Sequence, residues 1–233
     1  MSLYLGTQKV KINLNGGKKH AFLGRPDYLI FDGKLVFADP KIYLQSSGTQ
    51  YIDTGFTADG ESGFDIRYHV TTGNNGALYG ARAGYRSRAY MYLVADNYRV
   101  DYGNIAAVSS PLGLSKGRLV SGLENNNVVW RAYDSAGTLQ QEFSTAKQTF
   151  TTPASVALYA KKDNDTVDNT KAIAKIYYFK IYDADELKHH FVPVPQGMVI
   201  GDTTISAPCM FDIVTQTPFY NDGTGDFVYG KDN

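Results

Sequence analysis

One segment of the sequence, residues 81–103, holds a dense group of the side chains that recognise sugars: ARAGYRSRAYMYLVADNYRVDYG. Tyrosine rings can stack on the apolar face of a pyranose, and arginine and aspartate can hydrogen-bond its hydroxyls in pairs. The segment therefore predicts a carbohydrate-binding site. The candidate residues are Arg82, Tyr85, Arg86, Tyr90, Tyr98 and Asp101. The alternative is structural: some of the tyrosines fill a core and the arginines solvate its edge.

Known catalytic motifs are missing from the sequence. Sandwich glycosidases of the laminarinase type need closely spaced carboxylates on one strand, as in E-x-D-x-x-E, and no such run occurs. The segment YYFKIYDAD is superficially similar to the YFK motif of jelly-roll alginate lyases, but their arginine-glutamate and Gln-x-His motifs are absent. Tyr177, Tyr178 and Phe179 are therefore predicted to be structural. We expect no enzymatic activity, with catalysis by carboxylates from distant strands as the alternative.

Metal-binding patterns are weak. The loop of residues 162–169 carries Asp163, Asp165 and Asp168, whose oxygens could hold calcium, but it lacks the glycine and the terminal glutamate of an EF-hand loop. A polar hairpin tip explains the same residues. His189 and His190 are adjacent, so on a strand they point to opposite faces and cannot share one metal. We expect no cofactor, with calcium at the three aspartates as the alternative.

Composition and charge narrow the classes of partner. The 233 residues contain 23 basic and 23 acidic side chains, so no global field would concentrate nucleic acid or anionic lipid. The single cysteine, Cys209, excludes an internal disulfide framework and is predicted to be a small buried side chain. The sequence has neither a run of about 18 apolar residues nor a signal-peptide h-region. We expect no nucleic-acid or membrane partner.

The elements that must position these residues are predicted to be β-strands. Eighteen Tyr, twelve Phe and 23 Gly favour twisted sheet with many turns. Asparagines 125–127 suit a hairpin turn, and residues 184–187 are predicted to form at most one helical turn. Predicted strands lie near residues 51–53, 64–70, 77–82, 90–94, 99–102, 119–124, 128–133, 138–143, 155–160, 172–182, 188–193 and 209–214.

The first forty residues are predicted to form a small β appendage. Residues 28–31 and 35–37 read as a tight hairpin, and Pro40 marks a boundary. The predicted division is residues 1–40 as a docking or oligomerisation segment and residues 41–233 as a sandwich. An isolated hairpin is marginal in water, so we expect pairing with a neighbour and a homo-oligomer. Deletion of residues 1–40 is expected to leave a folded remainder.

Three stretches in order carry a family resemblance. The run KIYYFKIYDADELKHHFVPVPQG, followed by FDIVTQTPFYNDGTGDFVYG, resembles the closing strands of the concanavalin A-like, laminin G-like domains common in phage tail and baseplate proteins. YLQSSGTQYIDTGF is similar to that family's first strand and LYGARAGY to an inner strand. Separately, MSLYLGTQKVKINLNG resembles the N-terminal segment of many phage virion proteins. The resemblance implies an all-β, concanavalin A-like jelly-roll sandwich.

The function that the resemblance implies is that of a phage or prophage virion component in a tail, baseplate or fibre. Together with the residues at 81–103, it suggests binding of host-surface polysaccharide without cleavage. The expected partners are other virion proteins and that polysaccharide, and the expected location is the virion. A purely structural capsid or tail decoration protein is the second interpretation. A polysaccharide-active enzyme is the third.

Overall fold

A computed structural model describes most of the chain. It covers residues 3–5, 8–10, 21–22, 28–31, 33–70, 76–84, 87–94, 97–110, 115–164, 166–169 and 171–233. For residues 3–5, 8–10, 21–22, 28–31, 37, 92–94, 97–98 and 105–110 it describes the backbone alone.

The described residues form strands and turns, and none of them forms a helix. The prediction of an all-β protein is therefore confirmed. The strands are β1 (Leu3–Leu5), β2 (Gln8–Val10), β3 (Ala21–Phe22), β4 (Tyr28–Phe31), β5 (Lys34–Ala38), β6 (Ile42–Gln45), β7 (Ile52–Asp59), β8 (Ser62–Val70), β9 (Ala77–Ala83), β10 (Ser87–Val94), β11 (Asn97–Tyr102), β12 (Ile105–Ser110), β13 (Lys116–Glu124), β14 (Asn127–Asp134), β15 (Leu139–Ala146), β16 (Thr151–Leu158), β17 (Lys162–Asp163), β18 (Thr166–Val167), β19 (Ala174–Asp183), β20 (Glu186–Val194), β21 (Val199–Ile200), β22 (Thr203–Thr204), β23 (Cys209–Asp212), β24 (Thr217–Phe219) and β25 (Val228–Lys231).

Two large sheets pack face to face as a β-sandwich. The eight-stranded sheet runs β12-β11-β10-β9-β16-β7, with β17 and β18 attached beside β9. The ten-stranded sheet runs β15-β14-β13-β8-β19-β20-β23-β24, with β6 and β25 attached beside β19. Aromatic rings join the two layers: Phe64 of the larger sheet lies 4.9 Å from Tyr79 of the smaller sheet, centroid to centroid. Ring pairs at this separation add to the free energy gained from burying their area.

A β-bulge changes which residues of β19 face the core. Strict alternation would place Ile176 and Tyr178 on one face and Tyr177 and Phe179 on the other. The pairing of β19 with β8 shifts between Ile176 and Tyr178, so the alternation is broken there. Ile176, Phe179 and Ile181 all join the core, whereas Tyr177 bonds Asp232 and Tyr178 bonds Asp65 outside it. Alternation alone therefore does not assign the faces of this strand across the bulge.

The structure confirms the prediction for one tight turn and corrects the prediction for another. Asn125 and Asn126 have φ of 50° and 63° and join β13 to β14, which confirms the predicted asparagine hairpin. Residues 184–187 do not form a helical turn, because Ala184 and Asp185 also have positive φ, 46° and 67°. They form the two-residue turn between β19 and β20. Both pairs of angles match the twist of the strands that they connect.

The C-terminal corner closes against the stretch YLQSSGTQYIDTGF. Asn221 accepts a hydrogen bond from the backbone N–H of Tyr51 at 3.2 Å, and Asp222 accepts one from that of Asp53 at 2.8 Å. Gly223 approaches so closely that a Cβ there would lie 2.3 Å from the carbonyl oxygen of Thr49. These bonds explain why residues 221–226 are rich in glycine and short polar side chains.

Strand β5 contributes to a second, smaller core. Leu35 is fully buried with Ile42, Val192, Val194, Ile200, Ile205, Cys209 and Phe211. Its backbone also exchanges two hydrogen bonds with the side-chain amide of Gln216, at 3.0 and 2.9 Å. The predicted hairpin of β4 and β5 is confirmed, as is the burial of Cys209. The division at residue 40 stays a prediction, although Leu35 lies within a core built mainly from later residues.

Candidate functional site

The residues predicted from the 81–103 segment lie on the outer face of the eight-stranded sheet, where the structure describes them. In β10 and β11, Ala89, Met91 and Val100 face the core, so Tyr90 and Asp101 at alternate positions face outward. Arg82 on β9 lies near them. Tyr85 and Arg86 lie outside the described residues, as does the side chain of Tyr98.

Asp101 is the centre of a saturated ion-pair network. Its side chain is completely buried and accepts hydrogen bonds from Arg88 and Arg99, each at 2.8 Å, and from the hydroxyl of Tyr90. Burial and the bond to Asp101 raise the pKa of Tyr90 to about 12. Because Tyr90 is only 6% exposed, its ring offers little area for a sugar to stack on. The geometry of these residues fits a structural network better than an open sugar site.

The predicted calcium ligands are paired with cations. Asp163 accepts two hydrogen bonds from Arg82, at 2.5 and 2.8 Å, and Asp168 forms an ion pair with Lys161 at 2.9 Å. Asp165 lies outside the described residues. Within the described part of the chain, no three His, Cys, Asp or Glu side chains cluster as metal ligands would. Calcium binding at this loop stays an untested alternative.

A second group of sugar-binding residue types lies on the outer face of the ten-stranded sheet. Tyr133, Arg118, Arg67 and Tyr178 occupy directly paired positions on β14, β13, β8 and β19. They form one row across four adjacent strands, although they are far apart in the sequence. Side chains at paired positions lie close enough to act together.

This row lies in a depression that we call the outer groove. Its cavity volume is about 380 Å³, within the range of small-molecule sites. The turn of residues 135–137 borders it at one side. The side chains that define it are Arg67, Lys116, Arg118, Tyr133, Asp134 and Tyr178.

Asp65 orients two side chains of the outer groove. This carboxylate, almost fully buried, accepts two hydrogen bonds from Arg118, both at 2.8 Å, and one from the hydroxyl of Tyr178 at 3.0 Å. The hydrogen bonds to Asp65 raise the pKa of Arg118 further above its usual value. The guanidinium carbon of Arg118 lies 5.6 Å from the centroid of the Tyr133 ring. The cation of Arg118 thus lies over one face of the Tyr133 ring.

A cluster of cations borders the outer groove. Asp232 accepts hydrogen bonds from Lys175 at 2.9 Å, Lys116 at 3.2 Å and the hydroxyl of Tyr177 at 2.6 Å. His69 is paired with both lysines across the sheet. Its pKa is lowered, first by burial and then by the charges of Lys116 and Lys175. The local potential on this side of the groove is therefore positive.

His189 and His190 lie on opposite faces, as predicted. His189 stacks on Phe191 inside the sandwich at 5.4 Å and bonds Asp212 at 2.8 Å. His190 contacts the edge of Tyr178 on the outer face, with ring centroids 6.2 Å apart. Burial and, to a smaller extent, the charge of Lys180 lower the pKa of His190 to about 4, although Asp212 and Asp65 oppose the shift.

The low pKa of His190 predicts a loss of stability in acid. An unfolded histidine binds a proton near pH 6.5, whereas the folded protein resists protonation until about pH 4. The contribution of neutral His190 to the free energy of unfolding is therefore complete above pH 6.5 and is lost as the pH falls from 6.5 to 4. Over this pH range we expect the unfolding free energy of the wild type to fall by roughly 2 to 3 kcal/mol more than that of His190→Gln. This figure allows for the partial exposure of His190.

Urea unfolding of both proteins at pH 7.5 and pH 4 measures this difference. Carboxylates that also titrate are common to the two proteins and cancel in the comparison. Equal losses for wild type and variant would show that His190 titrates normally in the folded state.

No protein-family model matches the chain, and no curated protein matches it. In the part of the chain that is described, no helix is long and apolar enough to span a membrane. The fold and the groove define the chain as a β-sandwich whose larger sheet carries an aromatic and arginine-lined depression.

Proposed function

We propose that the chain is a non-catalytic carbohydrate-binding protein whose site is the outer groove. The observation that carries the proposal is the row Tyr133, Arg118, Arg67 and Tyr178 across four strands of the larger sheet. Aromatic rings beside planar hydrogen-bonding groups are the two parts that a sugar site needs. We place the site here rather than at the 81–103 segment, because Asp101 and its neighbours are bonded to one another.

The groove is preorganised for binding. Arg118 is fixed by two bonds to Asp65, and Tyr178 by one, so neither side chain must lose much freedom when a ligand arrives. Preorganisation of this kind lowers the entropic cost of association. Strands rather than loops carry the row, which holds its spacing rigid.

The carboxylates at the groove favour binding over hydrolysis. Glycoside cleavage needs one carboxyl group that donates a proton and a second that acts as nucleophile or base. Asp65 is occupied by Arg118 and Tyr178. Asp134 accepts hydrogen bonds from the N–H groups of Ala136 and Thr138, both at 2.9 Å. Both groups are thus engaged in holding the site together.

We further propose that the sandwich is of the concanavalin A-like, laminin G-like jelly-roll type and that it works in a phage particle. The all-β sandwich is compatible with that type. The placement in a tail, baseplate or fibre rests on the resemblance of the N-terminal and closing segments to virion proteins. In that setting the ligand would be a polysaccharide of the host surface.

Replacing Tyr133 with Ala should weaken glycan binding about tenfold or more, because a stacking ring is lost from the groove. The matched control is Tyr51→Ala, which removes a half-buried tyrosine that precedes β7, outside the groove. A glycan array and a bacterial-cell pull-down measure binding, and thermal melting checks that both variants fold. Blank results for the wild type in both assays would contradict the proposal and favour a purely structural role.

A further inference from the structure

The outer groove carries more positive than negative charge. Three cations line it, Arg67, Lys116 and Arg118, against one carboxylate, Asp134. Asp134 can balance only one of these three charges. One of its oxygens accepts two backbone N–H bonds, and the other accepts the side-chain amide of Gln140 at 2.7 Å. A neutral sugar would bring no negative charge to the groove.

Two of the three cations already have carboxylate partners behind the groove. Arg118 bonds the buried Asp65 at 2.8 Å, and Lys116 bonds Asp232 at 3.2 Å. Arg67 differs from both. Among the residues that the structure describes, no carboxylate lies within ion-pair distance of Arg67 and no acceptor is bonded to it.

The position of Arg67 leaves its hydrogen-bond donors available. Its guanidinium carbon lies over the Tyr177 ring, 5.5 Å from the centroid. The aromatic face of Tyr177 therefore holds the guanidinium, and no hydrogen-bond acceptor is needed for this contact. A guanidinium held in this way keeps its in-plane N–H groups for another partner. Their fork geometry matches an oxyanion, which can accept two parallel bonds.

We infer that the outer groove binds an acidic sugar and that Arg67 holds its oxyanion, a carboxylate or a phosphate. This inference rests on the proposed carbohydrate-binding function and names its ligand class. Tyr133 on β14 supplies the stacking surface, and Arg67 on β8 recognises the charge. Strand β13 lies between these two strands and pairs with both. Lys116 and Lys175 add to the field that attracts the anion.

The test compares acidic and neutral forms of the same sugars. Full-length protein is titrated with oligosaccharides of galacturonic, glucuronic and mannuronic acid, each beside its carboxyl-reduced neutral form, and with a galactose oligosaccharide 6-phosphate. We expect the wild type to bind at least one acidic form roughly ten- to a hundredfold more tightly than its neutral counterpart, since charge-assisted bonds are the strong ones. Preference for the uronate or for the phosphate identifies the oxyanion.

Arg67→Met keeps the aliphatic stem and removes the charge, so the acidic preference should disappear while affinity for the neutral form is retained. The matched control is Arg131→Met, which removes an arginine from the same face of β14, where it is paired with Glu124 and Glu142. The control changes the net charge equally and should keep the preference. Raising the salt concentration should reduce the preference of the wild type.

The outcomes separate the inference from the function on which it rests. Equal affinity of the wild type for acidic and neutral forms would overturn the inference and leave sugar binding intact. A preference that survives Arg67→Met would overturn the assignment of Arg67. Absence of binding to every sugar, acidic or neutral, would overturn both the inference and the proposed function.

Discussion

Replacing Asp101 with Ala should destabilise the folded protein by about 3 to 5 kcal/mol, because it removes the carboxylate that a buried arginine bonds. Arg88 is only 4% exposed and bonds Asp101 at 2.8 Å. Tyr90 and Arg99 lose an acceptor in the same change. For a chain of this length the loss corresponds to a fall in melting temperature of roughly 6 to 20 °C.

Denaturant unfolding of Asp101→Ala beside Glu124→Ala tests this expectation. Glu124 also pairs with an arginine, Arg131, but its side chain is 47% exposed. Exposed ion pairs contribute little, so the control should cost less than about 1 kcal/mol. If the two variants lose the same stability, the Asp101 network is solvated in solution and its residues are again open to a role in binding.

A double-mutant cycle separates pairing from packing. Arg88→Met removes the charge and keeps most of the volume. When Asp101→Ala and Arg88→Met are combined, no uncompensated charge stays buried at this pair, so the double variant should be less destabilised than the sum of the single losses. We expect a coupling of at least 1 kcal/mol, the size seen for residues within one ion-pair network.

The fold was largely predictable because alternation of apolar and polar residues is a local property. The strands predicted between residues 51 and 214 each overlap a strand that forms. The asparagine turn was predictable for the same reason, since few residue types accept positive φ twice in succession. The burial of Trp130, at 3% exposure, also follows from its position between Val128 and Ala132.

Register and pairing were not predictable, because they depend on residues far along the chain. The bulge in β19 is set by how that strand pairs with β8, more than a hundred residues earlier. It turns Tyr177 and Tyr178 both away from the core between the two sheets, which alternation cannot show. Residues 184–187 were misassigned because the sequence does not reveal that they close a tight hairpin between β19 and β20.

The same limit explains why the outer groove was missed and the 81–103 segment was favoured. The density of polar and aromatic residues along the sequence identified Arg82, Tyr90 and Asp101. It did not show that Arg82 is already paired with Asp163 and Asp101 with Arg88. Arg67, Arg118 and Tyr133 are separated by strands and turns, and only the register of β8, β13 and β14 brings them together. The available signal was an arginine or tyrosine at the outward positions of successive strands.

Because Leu35 is buried, we expect the protein that lacks residues 1–33 to be much more stable than the protein that lacks residues 1–40. The sequence alone predicts a separable appendage up to residue 40. Leu35, however, is fully buried among residues of β20, β21 and β23, and Asp39 pairs with Lys231 at 3.0 Å. Removing residues 1–33 keeps these contacts, whereas removing residues 1–40 leaves a cavity in the smaller core.

Loss of a buried leucine costs about 2 to 5 kcal/mol, so the longer truncation should be less stable than the shorter by at least that amount. Thermal and urea unfolding of the two truncated proteins measure the difference. In the full chain, Leu35→Ala should reproduce most of it, and Val36→Ala should not, because Val36 is 44% exposed. If both truncated proteins unfold alike, β5 contributes nothing to the smaller core and residues 1–40 are the independent segment that the sequence predicts.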